Sequence, residues 1–92
     1  MEEQFSPGQL VISIAGRDRG KYYLVLDKDI HNMVRVTDGI YHKVNKPKKK
    51  NKKHLTPMPQ IASGFVEKRK AGNKITDLYV RKILEEMLSG DS

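Results

Sequence analysis

Apolar positions along the 92-residue chain form two contiguous runs, then an alternating stretch, then a helical stripe. Leu10-Val11-Ile12-Ser13-Ile14 and Tyr22-Tyr23-Leu24-Val25-Leu26 are dense in β-branched and aromatic residues and predict two strands. The polar, glycine-bracketed stretch Gly16-Arg17-Asp18-Arg19-Gly20 lies between them and predicts a loop closing a hairpin. Tyr22 and Tyr23 straddle the second strand, so one is expected in the core and the other outside it. Asp27-Lys28-Asp29 begins the next connection, and a third strand is expected near Met33 to Val36.

The turn Thr37-Asp38-Gly39 admits two registers. A two-residue Asp-Gly turn would pair Val36 with Tyr41 and Val34 with Lys43, setting a lysine on the valine face. A three-residue loop with Gly39 left-handed in a bulge pairs Val36 with Ile40, sets Val34 opposite His42, and brings Val44 onto the same face. A one-residue slip inverts every side chain, so the apolar pattern favours the second register, in which Arg35, Tyr41 and Lys43 share the opposite face. Four such strands suggest a small antiparallel barrel.

The first two strands are apolar almost throughout rather than alternating, so something must cover their outer side. The C-terminal part supplies it. After Pro57 and Pro59, a helix is expected over Gln60 to Lys70, with Ile61, Phe65 and Val66 on one side and Gly72-Asn73 ending it. A second helix has Thr76 as N-cap, Asp77 at the positive end of its dipole, and Ile75 stapled to Val80. Val80, Ile83, Leu84, Met87 and Leu88 follow helical spacing up to a terminating Gly90, and this stripe is read as packing on the barrel. The expected organisation is therefore a mainly β unit over residues 1–56 and a C-terminal α-helical extension over residues 57–92.

Charge changes the picture more than composition does. The net charge is +7, yet the seven lysines between Lys43 and Lys53 leave 11 basic residues against 11 acidic ones elsewhere, so one segment carries the field. Such a block is the footprint expected for a polyanion partner; a solvated spacer is the plainer alternative. The absence of cysteine excludes disulfides and thiolate metal sites and suits a reducing compartment. No apolar run approaches the roughly 20 residues that span a bilayer. The acidic start, Met1-Glu2-Glu3-Gln4, lacks the order of a signal peptide, so a cytoplasmic protein without a membrane partner is expected.

The most specific feature is N-terminal. Gly8-Gln9-Leu10-Val11, then Gly16-Arg17-Asp18-Arg19-Gly20-Lys21, then Val25 resembles the KOW motif of ribosomal and transcription-elongation proteins. Its physical logic is readable in the residues. Gly16 and Gly20 let the backbone approach a phosphate, and Arg17, Arg19 and Lys21 can reach the backbone of a folded RNA. Asp18 is expected to cap its own loop backbone. Further along, Asp38-Gly39, Lys43-Val44, Lys46-Pro47-Lys48, His54-Leu55 and the segment from Gly72 to Leu84 are similar to a bacterial family of KOW-domain RNA-binding proteins. That family is similar in turn to a small eukaryotic and archaeal large-subunit ribosomal protein. The resemblance implies an SH3-like barrel of the KOW type, RNA as ligand and ribosome association. Gln9 departs from it, standing where many KOW sequences carry an acidic residue.

The expected RNA contacts are Arg17, Arg19, Gly20 and Lys21 in the loop, with Lys43, Lys46, Lys48, Lys49, Lys50, Lys52 and Lys53 in the tract. Tyr41 beside Arg35 is read either as a stacking platform for an unpaired base or as a cross-strand packing pair. The tract is expected to supply binding strength and the loop specificity. His31, His42 and His54 lack ligand-like spacing, and the 16–21 loop lacks the Gly-Lys-Ser/Thr ending of a P-loop. No nucleophile or carboxylate pair suggests hydrolysis, so the expectation is a non-enzyme without cofactor or metal. Its expected partners are ribosomal RNA and possible ribosomal-protein neighbours. Competing readings are a protein-interaction module, with the last helix as docking element, and an elongation-type transcription or translation accessory factor.

Overall fold

The computed structural model describes residues 4–90, so the acidic start falls almost wholly outside the described residues. Five strands come first: β1 (Gln9–Ser13), β2 (Tyr22–Lys28), β3 (Met33–Thr37), β4 (Lys48–Asn51) and β5 (Leu55–Ile61). A 3₁₀ turn, Lys52–His54, separates β4 from β5, and helices α1 (Ser63–Lys70) and α2 (Asp77–Ser89) follow. The strands form one antiparallel sheet in the order β4-β3-β2-β1-β5. No ladder joins β4 to β5 among the described residues, so the sheet is open at those edges. It is nevertheless strongly curled. A flat five-stranded sheet would hold its edges roughly 19 Å apart, whereas a 3₁₀ turn rising about 2 Å per residue joins them in a few steps.

The near-continuous apolar strands serve two cores. Val11, Tyr23, Val25, Val34, Val36 and Leu55 meet Phe5 on one face of the sheet. Leu10, Leu24 and Leu26 meet Ala62, Phe65, Ile75, Val80 and Leu84 on the other, where the helices lie. The β1–β2 register pairs Leu10 with Leu24 and Val11 with Tyr23, so successive rungs feed opposite cores. Tyr23 is fully buried, whereas Tyr22, expected outside the core, is half-buried against the helical core instead.

α2 forms as its stripe demanded. Thr76 Oγ1 accepts from the Tyr79 N–H, Gly90 closes the helix in a left-handed conformation, and Val80 and Leu84 are buried. Leu88 departs from the stripe and remains exposed.

Three expectations are corrected. Residues 40–44 form no strand: Val36 faces Lys48 and Val34 faces Lys50, so the fourth strand comes from the lysine tract. Arg35, Tyr41 and Lys43 consequently share no strand face. Val44 joins the helical core instead of the valine face. Gly39 is left-handed, with φ +74°, but for a reason outside the hairpin: a Cβ there would lie 2.6 Å from the Asp77 carbonyl at the start of α2. The third correction is the start of the first helix. Residues 60 and 61 belong to β5, Ile61 is exposed, and α1 begins at Ser63. β5 therefore runs across the position taken as the end of the β unit.

Lysines and prolines hid the two edge strands. Pro57 and Pro59 fit β5 because an edge strand need not donate every N–H. Lysine on β4 likewise discourages pairing with another sheet.

Candidate nucleic-acid interface

The Gly16–Lys21 loop is a closed structure. The Gly20 N–H donates to the Ser13 carbonyl at 2.8 Å, and the Lys21 N–H donates to the Asp18 carbonyl at 2.9 Å. The Asp18 side chain does not cap its own backbone. Its carboxylate accepts from Ser13 Oγ at 2.9 Å, Tyr23 Oη at 2.7 Å and Lys50 Nζ at 2.9 Å. Burial pushes this carboxyl up, but the hydrogen bonds from Lys50, Tyr23 and Ser13 with the Lys50 charge outweigh it and hold it well below the usual range. Burial also pushes the Tyr23 phenol up, and the hydrogen bond and charge of Asp18 add to that.

Lys50 is thereby removed from the set of phosphate contacts. Its side chain is 7 % exposed, and Nζ donates to Ser13 Oγ, the Ala15 carbonyl and Asp18 Oδ1. An ammonium has three donors, and all are spent inside the protein. It faces inward because β4 pairs it with Val34, whereas Lys49 faces outward opposite Arg35. Those two like charges are compensated: Arg35 forks onto Asp27 at 2.6 and 2.7 Å, and Lys49 reaches Asp29 at 3.3 Å. The Asp27 partner raises the Arg35 pKa, and the Ile30 N–H followed by Lys49 lowers that of Asp29.

The other expected contacts are more available. Arg17, Arg19, Gly20 and Lys21 are all exposed, and among the described residues neither arginine is in an ion pair. Lys43, Lys46 and Lys53 are exposed, while Lys48 and Lys52 are half-buried. Tyr41 is 74 % exposed, and its partner is Lys21, whose Nζ sits 4.7 Å from the ring centroid; Arg35 is engaged by Asp27 instead. This contact joins the 16–21 loop to the loop after β3.

That second loop is fixed by its own chemistry. Asp38 Oδ1 accepts from the N–H groups of Ile40, Tyr41 and His42, and Asp77 Oδ1 accepts from the Val44 N–H at 2.8 Å. Arg81 Nη1 donates to the Gly39 carbonyl at 2.8 Å. α2 thus positions the 38–44 segment and adds Arg81 and Lys82 near the 16–21 loop, around a groove that also includes Lys21. Charge counting along the chain missed these two, because only the docking of α2 brings them there. The three histidines are in no metal-like group among the described residues, and His42 packs tilted against Tyr23 at 5.9 Å. Among the described residues no helix is long and apolar enough to cross a membrane. No protein-family model matches the sequence, and no curated protein matches it with significance.

Proposed function

We propose that this chain is an RNA-binding protein that associates with ribosomal RNA or the assembling large subunit, and that its curled sheet is an SH3-like barrel of the KOW type. The observation that carries the reading is the Asp18 clamp. It spends buried hydrogen bonds on fixing the Gly16–Lys21 loop, with Arg17, Arg19 and Lys21 on its exposed side. A fixed loop backbone loses little freedom when its cations meet a phosphate, which favours shape recognition of folded RNA. The strand order with β1 between β2 and β5, and the 3₁₀ turn linking the two edges, support the barrel assignment.

In this reading the loop orients the RNA, and Lys43, Lys46, Lys48, Lys52 and Lys53 add affinity around it. The function is binding, not catalysis, and it takes place in the cytoplasm. Val80 and Leu84 are spent on the sheet, which weighs against α2 as the docking element of a protein-interaction module. Co-sedimentation with ribosomal particles at moderate salt tests the proposal. Wild-type protein is expected in the large-subunit fractions, and Arg17→Gln/Arg19→Gln/Lys21→Gln is expected to leave them while melting at nearly the wild-type temperature. Absence of the wild type from every ribosomal fraction overturns the ribosomal assignment.

A further inference from the structure

Several exposed apolar side chains serve neither core. Ile40 and Leu78 are each 53 % exposed and Leu88 is 45 % exposed. With the half-buried Tyr22 they line one groove of about 520 Å³ between the 16–21 loop, the 38–42 loop and α2. That volume is in the range of small-molecule sites. The groove has cations and carboxylates on its border: Lys21, Arg81 and Lys82, with Asp38 and Glu85. Arg81 is held by the Gly39 carbonyl, and Asp38 Oδ1 already accepts three N–H groups. Lys21 and Lys82 are left to meet an anion, and Glu85 to accept from a donor.

We propose that this groove takes the base of one unpaired nucleotide, with the flanking phosphate on Lys21 and Lys82. The inference rests on the RNA-binding reading and specifies its ligand as RNA with a bulged or looped-out base. A nucleotide combines a flat, largely apolar body, donors on its edge and a negative charge one sugar away, which is the combination the groove presents. Charge complementarity favours it over an apolar anchor from a protein. Lys21 lies on the same loop as the exposed Arg17 and Arg19, so positive charge continues beyond the groove mouth, where a backbone of repeated phosphates would run. Lys21, which lines the groove, also lies 4.7 Å from the centroid of the exposed Tyr41 ring.

The probe is a short RNA hairpin with a single 2-aminopurine bulge, compared with the same hairpin fully paired. The full chain is expected to bind the bulged form at least about fivefold more tightly and to change the 2-aminopurine fluorescence. Ile40→Ser/Leu88→Ser alters two exposed side chains. It is expected to lose that preference while keeping its melting temperature, its affinity for the paired hairpin and its salt dependence. Equal binding of both hairpins by the wild type, or a preference retained by the double variant, overturns the groove and leaves the RNA reading standing. Failure of both hairpins to bind even at low salt overturns the groove and the RNA reading together. A Leu/Glu-rich helical peptide that shifts the Ile40, Leu78 and Leu88 methyl resonances, when bulged RNA does not, overturns the proposal in favour of a protein occupant.

Discussion

Lys50 Nζ lies 2.9 Å from the Asp18 carboxylate, tying the fourth strand of the sheet to the first hairpin loop across 32 residues of chain. The pair is almost out of water, with side chains 7 % and 12 % exposed. Removing one member strands the charge of the other. Lys50→Met is therefore expected to cost roughly 3–5 kcal/mol, read as a lowered urea midpoint. Lys53→Met, an exposed change in the same tract, should stay within about 0.5 kcal/mol of wild type. Equal effects from the two would remove the distinction between a structural lysine and a surface one.

The same network contributes stability that depends on pH at both ends of the range. The folded pKa of Asp18 is depressed, so its contribution is fully present above the unfolded value of about 3.9 and is lost as pH falls below that. Tyr23 is raised, so its contribution is present below about pH 10 and is lost as pH rises through the folded value. Asp18→Asn should flatten the acid limb of a stability-versus-pH curve and Tyr23→Phe the alkaline limb. Denaturant melts across the pH range measure both.

Gly39→Ala tests the seat of the 38–44 loop on α2. The new methyl meets the Asp77 carbonyl at 2.6 Å, in a backbone conformation with φ +74°. The loss is expected to exceed about 1–3 kcal/mol and to broaden amide resonances of the loop. A fully wild-type melting curve would mean the loop is not held there.

The tract should divide by residue in RNA binding. If roughly four to six phosphates are neutralised, the double-logarithmic salt slope lies between about −3 and −5. Lys46→Gln and Lys53→Gln are each expected to reduce its magnitude by up to about one. Lys49→Gln must first be discounted for its Asp29 partner and should do less. Fluorescence anisotropy titrations at several salt concentrations give these slopes.

The hairpin of β1 and β2, the position of β3, and the full length of α2 were legible because apolar runs and caps report the side that is buried. The doubled apolar content of β1 also announced correctly that a second layer covers the sheet. β4 and β5 were not legible. A lysine-rich edge strand makes its ladder through the backbone and buries one ammonium beside a carboxylate, and neither property leaves an apolar trace. The register after Thr37 failed for a related reason. The apolar pattern alone puts Val44 on the nearest valine face, but the helical core claims it once Asp77 holds its N–H. In the candidate interface, the loop cations were readable from spacing. The withdrawal of Lys50, the pairing of Arg35, and the approach of Arg81 and Lys82 all depend on partners distant in sequence.

The pairing of β1 with β5 has a consequence for how the chain is made. Ser13 finds Leu55 as its partner, so the strand that emerges first from synthesis waits through three others for its second neighbour. A nascent chain stopped at residue 56 would contain every cation of the tract yet leave most of β1 with a bare edge. The cations of the tract are thus translated before the scaffold that organises them is complete, and β1 gains the whole of its second neighbour only after Ile61 has been added.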